Sequence, residues 1–148
     1  MNLGYAFPAD AAEVSGGSKI SMLGGDFDTI FGTAFPLLHP KLALVIRLDA
    51  LPEESGQPHQ LRIELRGPLN TIVIPPMTQA FTPEVNPDEP TAPVKFLIVV
   101  NMPPLVFETP GTYAFRISVD EREVGQFPLY LRQVSQQTVS NGQRGMTP

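Results

Sequence analysis

The chain has 148 residues, 42% of them hydrophobic, which suits one domain with its own core. Fifteen acidic against ten basic residues leave a net charge of −5, which argues against a basic footprint for nucleic acid or anionic lipid. There is no cysteine, so disulfides, thiolate catalysis and Cys-ligated zinc are excluded, and 17 Pro with 12 Gly break the chain too often for long helices.

At the N-terminus Leu3, Tyr5 and Phe7 alternate, and the first cation is Lys19. A secretory leader needs a basic start, so none is expected. Residues 9–14 suit either a strand or one or two helical turns, and residues 14–20 read as a hairpin turn. Next comes Asp26-Phe27-Asp28, with two carboxylates about 7 Å apart on one side of an extended segment. They are weak candidates for calcium, which takes oxygen ligands. The plainer reading turns Phe27 inward and leaves both acids in water. Asp10, Glu84, Asp88 and Glu89 could join such a site only if the fold brought them near.

The strongest signal is a period of two. Leu42, Leu44, Ile46 and Leu48 share one face of an extended segment over residues 41–51. Leu61, Ile63 and Leu65 share one face over residues 59–66, opposite Arg62, Glu64 and Arg66. The polar stretch 52–58 between them predicts an antiparallel hairpin with a long connection. On that geometry His39 and His59, the two histidines, lie at opposite ends, roughly 30 Å apart, and share no metal. His39 is expected to bond backbone, and His59 to be exposed. Residues 69–74 read as a further short strand.

Residues 82–93, with four prolines and three acids, predict a solvated loop. In residues 94–101, Val94, Phe96, Ile98 and Val100 form one face, but Leu97 and Val99 make the other apolar as well. That face needs a cover or a partner, so Leu97 and Val99 are interface candidates. Tyr113, Phe115, Ile117 and Val119 then alternate, and the charged turn 120–123 leads back into Phe127, Leu129 and Leu131. Pro128 cannot donate to a ladder, which marks an edge at that point. Pro110-Gly111-Thr112-Tyr113 resembles the entry to the penultimate strand of immunoglobulin-like sandwiches, where a tyrosine hydroxyl anchors a corner. Residues 133–148 are polar and read as a flexible tail after a single domain over residues 1–132.

These elements predict an all-β protein: an antiparallel, immunoglobulin-like (Greek-key) β-sandwich of about 7–9 strands. Three stretches carry a resemblance. They are Asp10-Ala11-Ala12-Glu13-Val14 with residues 16–25 and Asp28-Thr29-Ile30, then residues 39–48, then residues 110–115. Over residues 1–131 the chain resembles a family of small bacterial β-sandwich proteins classed as a domain of unknown function. The resemblance implies a stand-alone bacterial sandwich and supplies no reaction, ligand or catalytic residue.

No nucleophile elbow, phosphate loop, dinucleotide glycine pattern or zinc-protease motif occurs. The longest purely aliphatic or aromatic run, residues 96–100, is far too short to span a bilayer. The expectation is a cytoplasmic, non-catalytic interaction or assembly module without cofactor, binding an unknown protein partner or a second copy, and neither nucleic acid nor membrane. The alternative is a sandwich that binds calcium or carbohydrate through its end loops.

Overall fold

The computed structural model describes residues 1–16 and 19–135. Among these residues are eleven strands: β1 (Asn2–Ser15), β2 (Lys19–Gly25), β3 (Thr29–Gly32), β4 (Leu37–His39), β5 (Leu42–Ala50), β6 (His59–Arg66), β7 (Met77–Phe81), β8 (Val94–Met102), β9 (Leu105–Phe107), β10 (Gly111–Val119) and β11 (Arg122–Gln133). The count exceeds the expected 7–9, and three of the strands, β3, β4 and β9, have only three or four residues. No described residue is in an α-helix, and residues 9–14 continue β1.

One sheet has the order β2-β1-β5-β8, the second β3-β11-β10-β6-β7, and β4 pairs with β9 in a third, two-stranded sheet. Every ladder is antiparallel except β3 with β11, which run parallel over Thr29–Gly32 and Tyr130–Gln133. One core joins the layers. Leu42, Leu44, Ile46, Leu48, Ile98 and Val100 of the first sheet cluster with Leu61, Ile63, Leu65, Phe115, Ile117, Leu129 and Leu131 of the second. Close packing of this kind leaves Leu44, Ile46, Leu65, Phe115, Ile117 and Leu129 with no exposed surface.

The expected hairpin of residues 41–66 does not form. β5 pairs with β1 and β8, while β6 pairs with β10 and β7. The alternation is as predicted, but the two apolar faces meet across the core instead of lying side by side. Side by side, both faces would need a third element as cover; facing one another across a gap of about 10 Å, they cover each other. The polar connection supplies the crossing through a 3₁₀ turn at Pro52–Glu54, closed by the Leu51 N–H donating to Glu54 Oε1 at 2.9 Å.

Residues 69–74 also depart from expectation. Pro68–Asn70 form a 3₁₀ turn with Leu69 and Asn70 both at φ 59°, and pairing is limited to a single bridge between Arg66 and Ile72. Left-handed backbone at two successive non-glycine residues cannot belong to a strand. The loop between β7 and β8 is irregular and mostly exposed, as its prolines require. β11 continues through Gln133, and Val134 N–H donates to Gly32 O at 2.9 Å. The rest of the expected tail, residues 136–148, lies outside the described residues.

Candidate functional site

The interface candidates Leu97 and Val99 lie on β8, at the open edge of the first sheet. Both are half-buried. Their outward face continues across the sheet: Leu97 opposes Arg47, Val99 opposes Val45, and on β1 Tyr5 and Phe7 oppose the same Arg47 and Val45. Tyr5 and Phe7 stack at 5.6 Å between ring centroids. Val45 has no exposed surface yet stands outside the central core cluster. Its cross-strand neighbours cover it, which makes the outward face a second apolar cluster only one side chain thick.

Residue by residue, that face runs onto a feature the alternation did not reveal. β1 is 14 residues long, but its ladder with β5 stops at Ala9 opposite Ala43. From Asp10 to Ser15 it pairs with β2 alone. The two strands leave the sheet as a ribbon, and the other edge of β1 has no ladder partner among the described residues. Met22 and Leu23 on this arm are 41% and 73% exposed. A depression of ≈ 310 Å³ is lined by Ala11, Ala12, Glu13, Ser21, Met22 and Leu23. Gly24, at φ 57°, sits at the arm's base against the Asp10 carboxylate, where a Cβ would collide with the acid.

At one end of the layers, three acceptors and a histidine form a polar clip. His59 Nδ1 lies 2.6 Å from Asp120 Oδ2, and Nε2 lies 2.7 Å from Glu54 O. Asp120 also accepts Gln60 N–H at 2.9 Å, and Glu54 Oε2 accepts the Met1 ammonium at 3.0 Å. A carboxylate and a carbonyl only accept, so satisfying both requires both ring nitrogens to donate, which is the imidazolium form. The hydrogen bond to Asp120, then that to the Glu54 carbonyl, raises the His59 pKa above its ordinary 6.5 against the cost of burial. The same imidazole hydrogen bond lowers Asp120. Hydrogen bonding from the Leu51 backbone lowers Glu54. His59 was expected to be exposed; its side chain is only 9% so, because Asp120, 61 positions on, closes over it.

The remaining predicted positions scatter. Asp26 sits at a left-handed turn (φ 59°) with its N–H on Pro8 O, Asp28 accepts the Thr29 hydroxyl at 2.8 Å, and Phe27 packs against the core between them. Among the described residues no group of three or more His, Asp or Glu side chains gathers around a point. His39 is on β4 and its Nε2 is buried with no hydrogen-bond partner among the described residues, whereas backbone bonding was expected. Tyr113 donates its hydroxyl to Thr109 O at 2.7 Å and is 3% exposed, as the corner reading requires. Pro128 falls outside the stretch of β11 that β3 covers. Among the described residues no helix is long and apolar enough to cross a membrane.

Neither the curated proteins nor the solved structures gave a match to this chain. A family model, described as "Family of unknown function (DUF6941)", matches residues 4–132. That span takes in every strand from the β1 ladder to the end of the β11 core positions, so the chain belongs to this family of unknown function.

Proposed function

We propose that the protein is a non-catalytic interaction or assembly module of the immunoglobulin-like Greek-key class that recruits a protein partner through its first sheet. The connectivity supports the class. β1, β5 and β8 occupy one layer and β11, β10, β6 and β7 the other, β3 runs parallel to the last strand, and a tyrosine bond closes the corner before β10. The observation that carries the function is the arm that residues 10–15 of β1 form with residues 19–24 of β2. A strand edge without a ladder partner offers a row of N–H and C=O groups to another strand, and exposed apolar side chains beside it add contact area. The polar clip favours the same reading, since both ring nitrogens of His59 are taken up by the fold.

Photo-reactive residues placed singly at Leu23, Val99 and Leu69 test this in the producing cell. Discrete protein adducts from positions 23 and 99, and none from the 98% exposed Leu69, are the expected result. Equal labelling at all three positions, or no adduct at 23 and 99, overturns it.

A further inference from the structure

The edge of β1 between Asp10 and Ser15 differs from the open edges of β8, β7 and β11. β8 carries Lys95 and is bounded by Pro93 and by Pro103-Pro104; β7 is bounded by Pro75-Pro76 and Pro83; β11 carries Pro128. Prolines and lysines of this kind deter strand addition. Residues 10–15, Asp-Ala-Ala-Glu-Val-Ser, contain neither, and the small Ala11 and Ala12 let another backbone approach closely.

We infer that this edge takes a second copy of the same edge, antiparallel, with Ala12 of one copy opposite Ala12 of the other. The inference rests on the proposed function and names its partner. Symmetry and charge fix the register. Opposed strand residues point to the same face, and a twofold axis perpendicular to the sheet keeps a residue on its own face, so the axis must pass through a residue paired with itself. Two choices give five pairs within residues 10–15. Centring on Glu13 sets two carboxylates directly opposite, which is destabilising. Centring on Ala12 pairs Asp10 with Val14 and Ala11 with Glu13, and opposes no like charges. The ladder then ends at Val14, because the next pair would need Ala9, whose edge β5 already holds. Ala9, Ala11 and the outward cluster of Tyr5, Phe7 and Val45 lie on one side of β1. The perpendicular axis therefore brings the apolar faces of both copies to one side of a ribbon of order β2-β1-β1-β2.

The cysteine-free chain makes the test clean. Full-length variants Ala11→Cys, Ala12→Cys, Glu13→Cys and the remote control Leu69→Cys are oxidised with a copper–phenanthroline catalyst at several protein concentrations. Directly opposed residues lie within disulfide reach, whereas residues diagonal to each other sit roughly 7–8 Å apart. Ala12→Cys should form covalent dimers, Ala11→Cys and Glu13→Cys should do so only when mixed, and Leu69→Cys should not. In sedimentation equilibrium, Ala11→Glu, which puts a second acid opposite Glu13, should weaken the dimer by roughly tenfold, and Ala11→Lys should not weaken it. Equal cross-linking at positions 11, 12 and 13, or a wild-type chain that stays monomeric at every concentration, overturns the inference. A monomer that still forms adducts with another protein from position 23 overturns only the second copy as partner. A monomer without such adducts overturns the proposed function as well.

Discussion

Two antiparallel hairpins in this protein both carry large apolar side chains and end differently. β10 and β11 turn through Asp120 and Glu121, both in the left-handed region at φ 51° and 67°, and stay within the sheet. Phe115, Ile117 and Leu129 lose all their exposed surface and Leu131 all but 1%. β1 and β2 pair with each other beyond Ala9 and leave the sheet, so Met22 and Leu23 stay in water. Apolar content alone does not decide burial. A hairpin is buried where a facing layer meets it, and the layer facing β10–β11 has no counterpart beyond Ala9.

The sharpest way to break this contrast is to damage both hairpins equally. Phe115→Ala should cost about 3–5 kcal/mol in urea unfolding through the cavity it leaves, and Leu44→Asp several kcal/mol through an unpaired buried carboxylate. Leu23→Ser on the arm should stay within about 0.5 kcal/mol. Comparable losses at positions 115 and 23 would mean that the arm is packed. Tyr113→Phe should cost about 1–2 kcal/mol, since it leaves the Thr109 carbonyl without its donor.

The clip that ties the β10–β11 turn to β6 should show in pH dependence. The pKa of His59 is raised on folding, so its contribution is complete below about pH 6.5 and fades as the pH climbs through the raised value. Asp120 and Glu54 are lowered, so theirs is present above the ordinary carboxylate range and fades as the pH falls through the lowered values. The melting temperature should therefore fall as the pH rises above about 6.5, and His59→Gln should remove that fall. Solvent screening at Asp120, whose side chain is 52% exposed, limits the effect to about 1 kcal/mol. An unchanged alkaline limb in the variant would show that the clip carries no charge. The smallest effect sharpens the comparison from the other side. Glu121→Gly gives the turn an Asp-Gly pair that accepts its backbone without strain, and should stabilise by roughly 0.5 kcal/mol in thermal unfolding.

Much of the fold was readable from alternation, because burial on one face writes a period of two into each strand. The faces of β5, β6, β10 and β11 follow from that signal, and the corner role of Tyr113 from the resemblance of Pro110-Gly111-Thr112-Tyr113 to the entry of a sandwich strand. Pairing partners did not, since a strand's own pattern states which side is dry and not which strand lies beside it; hence β5 and β6 were joined in one sheet. Residues 14–20 read as a hairpin, and β1 and β2 pair as one; that this pair leaves the sheet is not legible, because Ala11-Ala12 and Met22-Leu23 do not alternate and nothing in their spacing says that β5 ends first. His59 was misplaced because its partner Asp120 comes from a turn 61 positions away. The outward apolar character of Leu97 and Val99 is legible in their alternation, but their companions Tyr5 and Phe7 come from the opposite end of the chain.

The parallel contact of β3 with β11 has a kinetic consequence. Between Gly25 and Thr29 the chain passes from one layer to the other, so β3 fastens the layer that β1 does not belong to. Its partners lie about a hundred residues away, and closing a loop that long is rewarded only once β10 and β11 have formed. The strap at residues 29–32 is therefore a last step in folding.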